Sequence, residues 1–91
     1  MEFEKDIERY LIRQVERRKG LCLKYHPDTD TGMPDRLILL PGGRLFWVEL
    51  KRENGKLSQM QIYQQNRLRA LGQRCFVVWS KEDVDRLLEM E

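Results

Sequence analysis

The stretch DRLILLPGGRLFWVELK (35–51) decides how this chain folds. Two apolar, β-prone runs flank Pro41-Gly42-Gly43, a turn signature that predicts a hairpin. Apolar residues fall on both faces of both runs, which predicts central strands covered on each side. Charges inside such runs are the anomaly. Asp35 opens the first run, and Glu49 and Lys51 close the second on one face, because side chains alternate along a strand. A three-residue loop pairs Leu40 with Arg44; counting outward from that pair, Asp35 stands opposite Glu49 on the same face. A two-residue Gly42-Gly43 loop would put them on opposite faces. Like charges opposed so closely destabilise an ordinary sheet, whereas a hard divalent cation with oxygen ligands turns the repulsion into a binding site. Taken alone, Glu49 and Lys51 also fit an ion pair near a strand end.

Upstream, Phe3, Ile7, Tyr10, Leu11 and Val15 recur at three- and four-residue steps and predict a helix over about 3–19. Arg17, Arg18 and Lys19 suit the negative end of its dipole, and Gly20 is placed to stop it. LCLKYH (21–26) reads as a short strand and PDTDTGMP (27–34) as a loop. Asp28 and Asp30 do not make this loop a calcium site, because Gly32 stands where a third acidic ligand belongs and Leu39 where the terminal glutamate does. Downstream, RENGK (52–56) is polar. Ser58 with Gln61 is a capping box that opens a second helix, flanked by Leu57 and Ile62 as a hydrophobic staple, and Gly72 ends it. RCFVVW (74–79) reads as a buried strand, and Ser80 with Asp83 opens a last helix through Val84, Leu87 and Leu88. The order αβββαβα predicts one domain over residues 1–91, an α/β sandwich with one mixed central sheet flanked by helices.

Composition limits the function without choosing it. Hydrophobic residues make up 41% and charged residues 35%, the balance of a globular domain with a modest core. No apolar run approaches the roughly 20 residues that span a bilayer. MEFEKDIERY is charged from its second residue, which predicts no signal peptide. Cys22 and Cys75 lie far apart with no CxxC, so a reduced, cytoplasmic chain without structural zinc is expected. Seventeen basic against fifteen acidic residues leave a net charge of +2, too balanced for a histone-like nucleic-acid binder. Any positive field must be local and coexist with carboxylates, and a bound cation reconciles the two. Hydrolysis of a phosphodiester needs an activated water and neutralisation of developing charge. A metal held by two carboxylates with an adjacent ammonium supplies both. With His26 the single histidine, no serine or cysteine nucleophile has a base.

GMPDRLILLPGGRLFWVELK, followed by KLSQMQ, resembles the virus-type replication-repair nuclease domain (VRR-NUC) of the PD-(D/E)XK superfamily, and the likeness runs over nearly the whole chain. It implies a restriction-endonuclease-like sandwich and a Mg²⁺- or Mn²⁺-dependent endonuclease acting on DNA. Asp35 and Glu49 would bind the metal, the backbone carbonyl of Leu50 would be a further ligand, and Lys51 would assist catalysis. The family's first helix contributes a glutamate; Glu8 is the best match and Glu4, one turn earlier, the competitor. Gln61 matches the family's active-site glutamine while also serving the capping box. Stand-alone, phage-type members are expected to be homodimers acting on four-way (Holliday) junctions or other branched DNA. A flap or general endonuclease and a non-catalytic DNA-binding accessory subunit are the alternatives. Lys24, Arg52 and Lys56 are candidate phosphate contacts, as are Arg17, Arg18 and Lys19. His26 reads as a loop-edge residue, and Trp47 and Trp79 as core.

Overall fold

The computed structural model describes residues 3–90; Met1, Glu2 and Glu91 lie outside the described residues. Its elements are α1 (Glu4–Arg17), β1 (Leu21–Lys24), β2 (Arg36–Leu40), β3 (Arg44–Leu50), α2 (Gln59–Ala70), β4 (Cys75–Val78) and α3 (Lys81–Glu89). The sheet order is β1-β2-β3-β4, antiparallel up to β3 and parallel between β3 and β4. That is the αβββαβα sandwich around one mixed sheet. The hairpin takes the three-residue loop. Gly42 and Gly43 sit at φ 85° and 75°, a region that favours glycine, and Leu40 pairs with Arg44 in a ladder that runs to Arg36 and Val48.

The two faces of the sheet differ in kind. Ile38, Leu40, Phe46, Val48, Leu50 and Val78 point to one side, where α1 (Ile7, Leu11, Val15) and α3 (Val84, Leu87, Leu88) close an apolar core. The other side meets α2, whose buried residues are Gln64, Gln65 and Leu68. Coverage there is incomplete, contrary to the expectation from the apolar runs. Leu21 and Leu23 are 59% and 44% exposed, and Leu37, Leu39 and Leu45 are half-buried. The cause is topological: α2 is the crossover from β3 to parallel β4, so it lies over that half of the sheet and leaves β1 and β2 open.

Element ends also differ from the sequence pattern. The first helix stops at Arg17, with Arg18 as its C-cap and Lys19, not Gly20, in the left-handed region at φ 61°. Gly20 is needed for space: a Cβ there would lie 2.5 Å from the Leu39 carbonyl oxygen and 2.9 Å from Leu40. Pairing in β1 ends at Lys24, although the Tyr25 N–H still donates to the Asp35 carbonyl at 2.9 Å. The capping box forms in full, Gln61 N–H to Ser58 Oγ at 3.1 Å and Ser58 N–H to Gln61 Oε1 at 2.8 Å. Trp79 is not core; it is 38% exposed, and its indole N–H donates to the Gly55 carbonyl. No helix among the described residues is long and apolar enough to cross a membrane.

Two glycine substitutions should separate crowding from backbone strain. Gly20→Ala forces a methyl into the Leu39 backbone and should lower unfolding free energy by about 1–3 kcal/mol in a urea titration. Gly42→Ala meets nothing within 4 Å and should lose only the roughly 1–2 kcal/mol of left-handed strain.

Candidate active site

Where β2 begins and β3 ends, the hairpin brings its two acids together. Asp35 precedes β2 by one residue, and its Oδ2 accepts the Leu50 N–H at 3.2 Å. Glu49 is 3% exposed; its Oε2 accepts from Gln61 Nε2 at 3.2 Å, while Oε1 is buried with no hydrogen-bond partner among the described residues. Gln61 thus divides its amide, the oxygen capping α2 and the nitrogen holding Glu49. Burial pushes the Glu49 carboxyl up from its ordinary 4.5 to about 8, and the charge of the neighbouring Asp35 carboxyl adds to the rise. Lys51 pulls the other way, and Glu4 adds to the rise. At neutral pH the pair therefore holds a proton. Lys51 follows β3 directly, and its N–H donates to the Val78 carbonyl at 3.0 Å, so β4 fixes its backbone.

A cavity of about 250 Å³ opens beside Asp35, with Glu49, Lys51 and Gln61 outside its lining. Asp35 and Leu50 form one wall, and the start of α1 contributes Glu4, Lys5 and Glu8. Both candidate glutamates of the first helix therefore face the same space. Glu8 is tied down: Arg36 Nη2 and Nε reach its Oε2 at 2.9 and 3.3 Å, and Arg36 Nη1 also donates to the Cys22 carbonyl at 3.4 Å. Lys24 lines the cavity, and so does His26, which its place beside a proline had marked as a loop edge. The antiparallel pairing of Lys24 with Arg36, and of Tyr25 with Asp35, carries the next residue to that position. Arg52 and Lys56 are exposed on the loop after Lys51 and do not line the cavity. Arg17, Arg18 and Lys19 lie at the far end of α1, roughly 15 Å from Glu8 at 1.5 Å per residue, and are not brought to the site.

Sequence reasoning passed over Gln64 and Gln65, each 2% exposed on α2. The signal was present, since QMQIYQQNRLRA (59–70) lacks an apolar stripe. Gln64 Nε2 donates to the Thr31 carbonyl at 2.9 Å, and its oxygen accepts from Arg67. Gly32 approaches α2 so closely that a Cβ would stand 2.8 Å from the Met60 carbonyl. The loop that delivers Asp35 is thereby pinned to α2.

Among the described residues, no three His, Cys, Asp or Glu side chains converge as a ready metal cluster. Asp35 and Glu49 converge as a pair, and both the opposed acids and the orphaned Glu49 Oε1 fit a hard divalent cation with oxygen ligands.

Comparison with known proteins places this geometry. No protein-family model matches the chain. A phage protein, "Putative nuclease p44" of Acyrthosiphon pisum secondary endosymbiont phage 1, is 34% identical over 79 residues, spanning 87% of this chain and 85% of that protein. A solved structure described as a VRR_NUC domain superposes with a TM-score of 0.86 at 34% identity, each chain covered to 94%. Fold and relatives together define a nuclease domain. More narrowly, the chain belongs to the VRR-NUC family, in its phage type.

The raised Glu49 carboxyl has a measurable consequence. Its folded pKa lies above the unfolded one, so the stability that its proton contributes is complete below about 4.5 and lost as pH rises through about 8. Thermal melts of the metal-free protein should fall across that window. Glu49→Gln, which cannot ionise, should flatten the decline.

Proposed function

We propose that this domain is a Mg²⁺- or Mn²⁺-dependent endonuclease that hydrolyses phosphodiester bonds in DNA, with four-way junctions and other branched DNA as its substrates. One observation carries the reading: an acid pair, the half-buried Asp35 and the buried Glu49, with one unpartnered carboxylate oxygen, next to Lys51. Asp35, Glu49 and the Leu50 backbone carbonyl are the residues that would hold the ion, joined by Glu8 from α1. When bound, the ion supplies an activated water and neutralises charge that develops on the phosphate oxygens. The chain's own groups do the rest. Gln61 orients Glu49, and the Leu50 N–H orients Asp35. Lys51 positions the water and steadies the pentavalent phosphorus. Lys24 at the cavity wall, with Arg52 and Lys56 on the adjoining loop, contacts the DNA backbone, an attraction that local charge provides despite a net charge of only +2.

Branched DNA goes with a homodimer, since a two-fold pair of identical sites suits paired incision of a symmetric junction. Support comes from the open half of the sheet. Leu21 and Leu23 extend the half-buried Leu37, Leu39 and Leu45 into an apolar face of the kind that marks a contact between chains.

Charge-removing variants test the chemistry. Asp35→Asn and Glu49→Gln should weaken metal binding and cut cleavage by orders of magnitude, with DNA binding retained or tightened. Lys51→Ala should keep the metal but lose about 100- to 1,000-fold in rate. All three belong in parallel assays of metal binding, DNA binding and cleavage on one four-way junction. Undiminished cleavage by the carboxylate variants would sink the assignment, and binding without cleavage by the unaltered protein would leave an accessory DNA-binding subunit.

The dimer has its own test. Light scattering should report two chains per particle, and Leu23→Glu should yield a folded monomer that nicks junctions without paired incision. A monomeric parent protein that still resolves junctions would refute the dimer.

A further inference from the structure

Two buried polar atoms lack a hydrogen-bond partner among the described residues, and they complement each other. One is an acceptor, Glu49 Oε1; the other is a donor, Gln65 Nε2. Their residues are 3% and 2% exposed, and buried polar groups left unpaired cost free energy. Each is the kind of atom the other requires.

Their placement is bracketed on both sides. Gln61, one helical turn before Gln65 and on the same face of α2, reaches Glu49 Oε2 at 3.2 Å. Arg69, one turn after, donates to the Cys75 carbonyl at 2.8 Å, and Cys75 pairs with Trp47, two residues before Glu49 on β3. Gln65 therefore sits over the sheet between the Glu49 level and the Trp47 level. Helical side chains lean toward the helix N-terminus, which tilts Gln65 toward Glu49. Its amide orientation is also set. Oε1 accepts from Arg69 Nη2 at 3.3 Å, and no guanidinium tolerates an amide N–H₂ in that place, so Nε2 faces away from Arg69.

We propose that Gln65 is a positioning residue for Glu49, its amide nitrogen donating to Oε1 through one trapped water, so that successive turns of α2 hold both oxygens of the carboxylate. A carboxylate oxygen has two lone pairs, so this donor and a cation do not exclude one another. Outer hydrogen bonds of this kind orient metal-binding side chains, and their loss costs about 10- to 100-fold in metal affinity or activity. The chain Cys75 carbonyl, Arg69, Gln65, Glu49 then ties the carboxylate to the first residue of β4. The inference rests on Glu49 being a metal ligand.

The test uses Gln65→Leu, with Gln65→Met, unbranched and closer in shape, should the leucine variant not fold. Mn²⁺ titration calorimetry on the metal-free protein, thermal melts, and kcat and KM on a junction substrate are the readouts. The expected result is a folded protein whose Mn²⁺ affinity falls about 10- to 100-fold, with kcat lowered and KM for DNA unchanged. An equal or higher melting temperature with unchanged Mn²⁺ affinity would mean that Gln65 has no partner, because apolar replacement of an idle buried amide is favourable. A lower melting temperature with unchanged affinity would make it merely structural; both results overturn the proposal. Glu49→Gln, run alongside, keeps the two readings apart: if that variant binds Mn²⁺ normally, the metal site itself is misplaced, whatever Gln65 does.

Discussion

The rest of the structure depends on one register. A three-residue turn, with Gly42 and Gly43 both at positive φ, sets Leu40 against Arg44 and so brings Asp35 beside Glu49. Two acids at this separation oppose folding unless something absorbs their charge. The fold supplies several answers at once: a retained proton, the Leu50 N–H on Asp35, the Gln61 amide on Glu49, and Lys51 at the strand end. They come from two places in the chain, the end of β3 and the start of α2. The crossover from β3 to β4 is what allows it, since it lays the start of α2 over the end of β3 and lets Val78 hold the backbone of Lys51.

The hairpin and the acid pair were legible because they are local. Asp35, Glu49 and Lys51 interrupt apolar strand patterns, and counting from the turn is enough to oppose them. The starts of α2 and α3 were legible for the same reason, since a cap is written within four residues. What escaped depends on distant neighbours. Gly20 was read as a helix stop by its composition, whereas its role is to admit the Leu39 carbonyl from a strand that sequence does not place beside it. His26 reaches the cavity only through the β1–β2 pairing. The rule that apolar runs imply covered faces failed for the β1–β2 half, because apolar patterning does not specify which chain supplies the cover.

The polar underside of α2 is the most telling departure from pattern. A helix that buries Gln64 and Gln65 forgoes much of the hydrophobic drive that usually docks a helix on a sheet. In exchange it holds the loop before Asp35 through Thr31 and the acid end of β3 through Gln61. Stability is left to the opposite face, where α1 and α3 close an apolar core.

That separation gives the sheet an arithmetic. Along β2 and β3, Ile38, Leu40, Phe46, Val48 and Leu50 build the core, whereas the odd-numbered residues, with Asp35 and Lys51 beyond the strand ends, face the chemistry and the open apolar surface. Folding and function are thus interleaved on alternate residues of one short ribbon, and they meet at Leu50, which belongs to the core and also lines the cavity. The arrangement does not tolerate slippage. A single residue gained or lost in the turn would exchange the two inventories along one strand, sending its core side chains to the site and its acid into the core.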